Sequence, residues 1–195
     1  MFKYIIGVDE AGRGPLAGPI VAAAVLYEGK PKQKGILAQV DDSKKLSSPK
    51  REDLFRAIIK NFMWSVQMLD SQFIDKYGIQ KANFLVMWDV LEEIRHKINK
   101  PTEAVVDYIG GADRYTQQAD ISFYKNGESR FKEIAAASII AKVFRDHLMM
   151  ELDEEFPHYE FWLHKGYGTK RHYGHLDKFG LCPIHRRSFL HSYFS

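Results

Sequence analysis

The fold of this chain is organised around residues 5–19, which read IIGVDEAGRGPLAGP. The apolar run at 5–8 predicts a buried strand that ends at two adjacent carboxylates, Asp9 and Glu10. A second apolar run at 20–27 predicts another strand, and the pair should be antiparallel because the loop between them is too short for a helix. Neighbouring side chains of a strand point to opposite faces. We therefore expect Asp9 and Glu10 to reach one site by different routes.

The loop between these strands combines three glycines and two prolines with a single arginine. Gly12 and Gly14 allow positive φ and bring bare backbone amides close to a ligand, and the guanidinium of Arg13 between them is suited to phosphate. An acid pair beside such a loop indicates a divalent metal held next to a phosphate. The stretch alone is equally consistent with an acidic turn cap followed by a glycine-rich connection. It lacks the phosphate-binding pattern G-x-x-x-x-G-K-[ST].

The composition is that of an ordinary globular protein, with 45% apolar and 27% charged residues among 195. A formal net charge of +3 permits a nucleic-acid partner without requiring one. The only cysteine, Cys182, excludes an internal disulfide and a zinc site of clustered cysteines. No apolar run approaches the roughly 20 residues that span a bilayer, and the apolar start of the chain is too short for a secretory signal. We expect a cytoplasmic monomer without a membrane partner.

Hydrophobic periodicity predicts strands that alternate with helices. Beyond the first two strands, the predicted strands lie at 62–69, 104–107 and 121–124. The predicted helices lie at 49–61, 71–76, 80–98, 130–153 and 170–179. Residues 28–39 are polar and predict a surface excursion, and residues 183–189 predict an extended basic tail. This order predicts an α/β fold, with a mixed five-stranded sheet flanked by helices in a single catalytic domain.

A third carboxylate ends the predicted strand 104–107. Asp107 is followed closely by two glycines, which repeats the order of apolar strand, acid and glycine seen at the start of the chain. Side chains at the carboxyl ends of adjacent strands converge on one crevice, so we expect Asp107 to join Asp9 and Glu10. Crowded carboxylates need a compensating cation, and Mg²⁺ or Mn²⁺ is the usual one for oxygen ligands. Two such ions about 3.5–4 Å apart are a recurrent device for hydrolysing phosphodiesters.

A fourth carboxylate for a two-ion site has several candidates. Glu128 stands just ahead of an alanine-rich helix, and Asp146 lies near the far end of that helix. At about 1.5 Å of rise per residue the two are roughly 25 Å apart, so they cannot both line one site. Asp113 and Asp120 lie on polar connecting stretches.

Five blocks of this sequence, taken in order, resemble prokaryotic type 2 ribonuclease H. They read GVDEAGRGPLAGP, DSKKLS, VVD, AAASIIAKVFRD and HKGYGTK, and the similarity runs over about residues 4–189. The resemblance implies an RNase H-like core over about 1–155 and a C-terminal helical extension over about 156–195 that binds substrate. It also implies that Mg²⁺ or Mn²⁺ supports cleavage of the RNA strand of RNA:DNA hybrids. Incision 5′ of ribonucleotides embedded in duplex DNA, leaving 3′-hydroxyl and 5′-phosphate ends, is implied as well.

The resemblance assigns roles to individual acids. It implies that Asp9, Glu10 and Asp107 are metal ligands and catalytic residues. The family usually has aspartate at a fourth acidic position just before the alanine-rich helix, where this chain has Glu128. The side chain of glutamate is longer by one methylene, and with an adjusted backbone it could still hold the second ion.

Substrate contacts are implied in the same way. Gly12, Arg13 and Gly14 would read the ribose 2′-hydroxyl, and Tyr167 would pack beside the ribonucleotide at its junction with DNA. Positively charged side chains are the expected phosphate contacts; they are Lys44, Lys45, Lys165, Lys170, Arg186 and Arg187. Taken singly, each lysine is also consistent with a solvated surface charge, and Tyr167 with a core aromatic.

The last part of the chain holds six histidines whose spacing matches no metal-binding pattern. They are His158, His164, His172, His175, His185 and His191. We expect these side chains at the surface or near phosphate.

Three other classes of protein fit parts of the sequence. A non-catalytic module that binds hybrids would use the same basic surface, although strand-end acids repel phosphate unless a metal intervenes. A resolvase is another two-metal nuclease on a related sheet and would cut an all-DNA junction. A type 3 ribonuclease H would carry an additional N-terminal domain, which does not fit an acid pair at residue 9.

Overall fold

Five strands form one mixed sheet in a computed structural model, which describes residues 4–41, 43, 46–107, 110, 118–191 and 193. They are β1 (Ile5–Ala11), β2 (Ile20–Tyr27), β3 (Met63–Leu69), β4 (Glu103–Asp107) and β5 (Ile121–Tyr124). Their order across the sheet is β3-β2-β1-β4-β5. β2 is antiparallel to β1 and β3, whereas β4 is parallel to β1 and β5. The predicted mixed α/β sheet is therefore confirmed.

Helices flank this sheet on both faces. They are α1 (Pro31–Leu37), α2 (Ser48–Asn61), α3 (Ser71–Tyr77), α4 (Ile79–Ile98), α5 (Lys132–Glu155), α6 (Phe161–His164) and α7 (Lys170–Phe179). All predicted helices are present. Residues 28–39 lie mostly at the surface, as predicted, but they include α1, which was not predicted and which buries the apolar pair Ile36 and Leu37 against the neighbouring helices. Within the described residues, no helix combines the length and apolar character needed to cross a membrane.

Alternating side chains of the strands supply a hydrophobic layer on each face of the sheet. Ile6 and Val8 of β1 pack on the face that α4 covers. Ala23 and Val25 of β2 pack on the other face, against the alanine-rich side of α5. The two layers fix which strand residues point toward which helix.

Gly7 lets α5 lie directly on β1. A Cβ at this position would lie 2.1 Å from the carbonyl carbon of Glu133, so any other residue would push the helix away. Asp9, two residues further along the strand, lies on the same face as Gly7, and Glu10 lies on the opposite face. The sequence predicted that β1 ends at the acids. Instead, the strand continues through Ala11, because residues 9–11 still pair with β2.

The residues that follow α5 pack against the loop between β1 and β2. Phe161 and Leu190 form a third hydrophobic cluster with Leu16 of that loop. The amide of Leu16 donates to the carbonyl of Gly166, and its carbonyl accepts from the amide at 186, both at 2.8 Å. The predicted extended tail contains a 3₁₀ turn at 187–189, whose first two amides donate to the carboxylate of Asp75 at 2.9 Å.

Candidate active site

Three carboxylates converge at the carboxyl ends of β1 and β4. Asp9, Glu10 and Asp107 each offer one oxygen to a group whose atoms all lie within 4.8 Å of one another. β1 pairs with β4 only as far as Val8 and Val106, so the two strands part immediately before the acids. The acids from distant parts of the sequence therefore share one site, as the strand pattern predicted.

The three carboxylates bring more negative charge together than the neighbouring guanidinium of Arg13 can balance. Burial, followed by the charges of Glu10 and Asp107, raises the pKa of Asp9 well above its usual value. Burial also raises the pKa of Glu10, although Arg13, whose guanidinium lies 3.8 Å from its carboxylate, lowers it. Within the described part of the chain, Oε2 of Glu10 is buried without a hydrogen-bond partner. Clustered carboxylates with an unpartnered oxygen fit a hard divalent cation such as Mg²⁺ or Mn²⁺.

Backbone amides hold one oxygen of each aspartate. Oδ1 of Asp9 accepts from the amide of Glu10 at 2.7 Å, and Oδ1 of Asp107 accepts from the amide of Gly127 at 2.7 Å. A Cβ at position 127 would lie 2.5 Å from Cδ1 of Ile134 and 3.3 Å from Oδ1 of Asp107, so a larger residue would have to displace the Ile134 side chain. The two aspartates are thus oriented by the polypeptide itself.

Glu128 lines the same cleft as the three acids. It lies on the 3₁₀ turn at 127–129, just before α5. Its Oε2 accepts from the hydroxyl of Ser138 at 3.1 Å, and Oγ of Ser138 lies 2.9 Å from Oγ of Ser43. The same serine hydroxyl lowers the pKa of Asp9. The hydroxyl of Ser138 therefore links Glu128 to Asp9. The role of Glu128 as a metal ligand stays a prediction.

Two polar residues of the alanine-rich helix α5 line the site, although no role was predicted for them from the sequence. Ser138 and Lys142 both line the cleft. Nζ of Lys142 lies 2.7 Å from Oδ1 of Asp146 and 5.9 Å from the ring centroid of Tyr167. Ser138 and Lys142 are four residues apart, which places both side chains on one side of a helix. This spacing was the signal that could have identified them.

The cleft has a volume of about 840 Å³ and brings the predicted substrate-reading residues to the acids. Gly12, Arg13 and Gly14 line it, and so does Tyr167, which is 42% exposed. The structure therefore places the acid group, the glycine loop and the aromatic side chain around one cavity.

Arg145 holds this loop from within the protein. Its side chain is 1% exposed and donates to the carbonyls of Ala17 and Pro19 at 3.0–3.1 Å. A third donation, at 3.0 Å, reaches the carbonyl of Lys165. Gly12 has a φ of 101°, and a Cβ there would lie 2.3 Å from Nε of Arg145. The glycine is required both by its backbone angle and by the close approach of the arginine.

Arg186 is not the phosphate contact that the sequence predicted. Its side chain is fully buried and donates to the carbonyls of Gly12, Arg13 and Gly18 at 2.7–3.1 Å. Burial lowers its pKa to about 9. The irregular loop leaves carbonyl groups without partners in a helix or sheet, and the guanidinium satisfies them.

The other predicted phosphate contacts differ in their surroundings. The Arg13 side chain is 43% exposed at the cleft, and Lys170 and Arg187 are exposed. Lys165 is half-buried and donates to the carbonyl of Trp162. Lys44 and Lys45, predicted to bind phosphate, lie outside the described residues, as does Asp113.

Three of the six histidines are buried, which corrects the prediction that they lie at the surface. His164, His172 and His185 are 7%, 0% and 2% exposed. Their ring nitrogens pair with backbone groups or with one another. A neutral imidazole with both nitrogens paired can be packed in a core, and spacing along the sequence does not show this.

Comparisons with known proteins agree with this site. The model of the Ribonuclease HII family matches residues 6–192. Ribonuclease HII of Caldicellulosiruptor bescii is 46% identical over 190 residues, which cover 97% of this chain and 87% of that protein. Ribonuclease HII of Rickettsia bellii is 44% identical over 185 residues, which cover 95% of this chain and 89% of that one.

Solved structures support the same assignment. Ribonuclease H2 from Pyrococcus horikoshii is similar with a TM-score of 0.73 and 25% identity, over 95% of this chain and 93% of that one. The RNase HII of a PCNA complex from Archaeoglobus fulgidus gives 0.75 and 26%, over 93% of each chain. Bst-RNase HIII in complex with Mn²⁺ gives 0.70 and 26%, over 78% of this chain and 55% of that one. The RNase H-like fold is thereby confirmed, and the chain belongs to the ribonuclease HII family of endoribonucleases.

Proposed function

We propose that this protein hydrolyses the RNA strand of RNA:DNA hybrids and incises duplex DNA 5′ of embedded ribonucleotides, leaving 3′-hydroxyl and 5′-phosphate ends. The observation that carries the proposal is the convergence of Asp9, Glu10 and Asp107 in a cleft shared with the glycine loop and Tyr167. Membership of an endoribonuclease family supports the class of reaction.

The acids would hold two divalent ions, with Asp9, Glu10 and Asp107 as ligands and Glu128 as the fourth. Mg²⁺ or Mn²⁺ bound there would stabilise negative charge on the phosphate and help to ionise the attacking water. The amides of Glu10 and Gly127 hold the two aspartates in place in the free protein. This preorganisation lowers the cost of gathering like charges when substrate arrives. Support for the metal comes from the unpartnered oxygen of Glu10 and from the Mn²⁺ complex of Bst-RNase HIII.

Recognition of ribose depends on groups that can sense the 2′-hydroxyl. The carbonyls of Gly12 and Arg13 are engaged by Arg186. The loop amides at 12–14 and the side chain of Arg13 are therefore the groups that we assign to the ribose and the adjacent phosphate. Tyr167 would pack its exposed ring beside the sugar where ribose meets deoxyribose.

The C-terminal residues 156–195 would act as the extension that binds the duplex. Lys165 and Lys170 would contact phosphates there, and we propose the same role for Lys44. We further propose that the protein acts as a monomer in the cytoplasm.

The test uses three labelled substrates: a DNA duplex with a single ribonucleotide, an RNA:DNA hybrid and an all-DNA four-way junction. We expect Mg²⁺ or Mn²⁺ to support incision 5′ of the ribonucleotide and cleavage of the hybrid, with no product in EDTA. Cleavage of the all-DNA junction would indicate a resolvase. Salt-sensitive binding without any metal-dependent product would indicate a binding module.

A further inference from the structure

Three buried histidines lie behind the segment that carries Tyr167. The rings of His164 and His172 stack with their centroids 4.4 Å apart. Nε2 of His172 lies 3.0 Å from Nε2 of His185. The proposed reaction leaves these side chains without a role, although they are among the most buried polar groups of the protein.

The backbone groups at the two ends of the His172–His185 pair determine where its protons are. The amide of Cys182 can only donate and lies 2.9 Å from Nδ1 of His185, so this nitrogen accepts. The carbonyl of Cys182 lies further from the same nitrogen, at 3.3 Å. The carbonyl of Tyr167 can only accept and lies 3.0 Å from Nδ1 of His172, so that nitrogen carries the proton. His185 then donates through Nε2–H to Nε2 of His172, and both rings are neutral.

The pair stays neutral because its surroundings disfavour a charge. Burial lowers the pKa of both His172 and His185 to about 4. The ring of His164 faces His172, and the thiol of Cys182, whose pKa burial raises to about 11, lies 3.1 Å from Nδ1 of His185. Protonation of His172 would place two N–H groups face to face at 3.0 Å, and protonation of His185 at Nδ1 would set a second N–H against the amide of Cys182 at 2.9 Å.

The carbonyl that His172 holds belongs to a backbone that is fixed on both sides. The amide of Tyr167 donates to the carbonyl of His164 at 2.9 Å, and the amide of Thr169 donates to the carbonyl of Tyr167 at 2.8 Å. Nδ1 of His164 accepts from the amide of Gly166 at 3.2 Å. These contacts set the direction in which the Tyr167 side chain leaves the backbone and enters the cleft.

We propose that His172, oriented by His185, is a positioning residue that fixes Tyr167 and so determines the preference for a single ribonucleotide in DNA. The inference rests on the proposed function, because Tyr167 has this role only if the cleft receives a ribose next to a deoxyribose. A lone ribonucleotide offers one position at which the ring fits. In a continuous RNA strand every position offers a ribose, and the position of the ring matters less.

Two substitutions at one position separate this role from a contribution to stability. Asparagine carries its amide where histidine has Nδ1, and glutamine carries it where histidine has Nε2. His172→Asn therefore keeps a donor for the Tyr167 carbonyl, and His172→Gln loses it, while both remove the ring. We expect His172→Gln to lose about tenfold in kcat on the single-ribonucleotide duplex relative to the hybrid. The same ratio should stay near the parent value in His172→Asn, whereas Tm falls in both variants.

An unchanged ratio in both variants, or an equal change in both, would overturn the inference. A parent protein that cleaves neither substrate would instead overturn the proposed function. Nitrogen-15 NMR of the histidine rings at pH 7 tests the arrangement without any activity. We expect a proton on Nδ1 of His172 and on Nε2 of His185, and the opposite tautomers would overturn the inference.

Discussion

The carboxyl end of the sheet and the loop beside it bury charge in opposite ways. Arg145 and Arg186 lie inside the protein, and their guanidinium groups donate to carbonyls of the loop between β1 and β2 and, from Arg145, to the carbonyl of Lys165. The acid group keeps a buried oxygen of Glu10 unpartnered among the described residues, and the pKa of Asp9 is raised. A buried charge with satisfied hydrogen bonds holds structure, whereas one with an open ligand position favours an ion of opposite sign. By this comparison the two buried arginines hold the loop in place, and the three acids are the groups suited to bind an ion.

The strongest way to break this comparison is to neutralise one of the acids that we propose as ligands of the ion. Asp107→Asn should lower kcat/KM on the single-ribonucleotide duplex by about a thousandfold or more, since several kcal/mol of charge stabilisation depend on the metal. Its amide oxygen can still accept from Gly127, so circular dichroism and duplex binding should match the parent. Normal turnover by this variant would refute the assignment of the site.

The second way is to remove the buried guanidinium of Arg186 and to compare the effect with removal of the exposed guanidinium of Arg187. Arg186→Met should lower the free energy of unfolding by about 3 kcal/mol, because three loop carbonyls lose their donor. Arg187→Met, at the next position, should change it by less than about 0.5 kcal/mol. Urea denaturation of both variants measures the difference. A loss for Arg186→Met as small as that for Arg187→Met would show that water can satisfy the loop carbonyls.

The third test concerns the histidines, which are buried uncharged. Since the pKa of His172 is about 4 in the folded protein and near 6.5 in the unfolded chain, the unfolded state binds more protons between these values. Stability from this residue is complete above pH 6.5 and is lost as pH falls toward 4, by roughly 2 kcal/mol at pH 5. The stability advantage of the parent over His172→Asn should shrink accordingly between pH 7 and pH 5. His158→Gln, which removes an exposed histidine, is the control measured in parallel.

The smallest expected effect has the opposite sign. Burial raises the pKa of Asp9, so the folded protein keeps its proton to higher pH than the unfolded chain, and stability from this residue falls as pH rises above the ordinary value of 3.8. In EDTA at pH 7, Asp9→Asn should therefore be more stable than the parent by about 1 kcal/mol. The gain should vanish near pH 4, and added Mg²⁺ should raise the Tm of the parent more than that of the variant. A lower Tm for the variant in EDTA would show that burial and the neighbouring charges do not make the Asp9 carboxylate destabilising.

Local patterns were sufficient to predict the sheet and the acid group. An apolar run along β1 and an acid at the end of β4 are local signals, and the geometry of parallel strands brings Asp9, Glu10 and Asp107 together. The existence of α1 could not be predicted in the same way, because its two buried apolar residues end a stretch that is otherwise polar.

Long-range contacts explain what the sequence could not show about the site. Arg186 satisfies the carbonyl of Gly12, 174 positions away, and a basic residue in a basic tail predicts only a surface charge. The histidine pair likewise depends on backbone groups of Tyr167 and Cys182, which lie in separate segments. Such partners become visible only when the packing is known.

The distance along the chain between Gly12 and Arg186 has a consequence for synthesis on the ribosome. The loop is translated long before the guanidinium that holds its carbonyls, which follows Gly12 by 174 positions. Domains fold as the chain emerges, with N-terminal parts first, so the sheet and its acids can assemble while the loop still lacks its support. A nascent chain would thus form its acidic centre before Arg186 fixes the loop beside it.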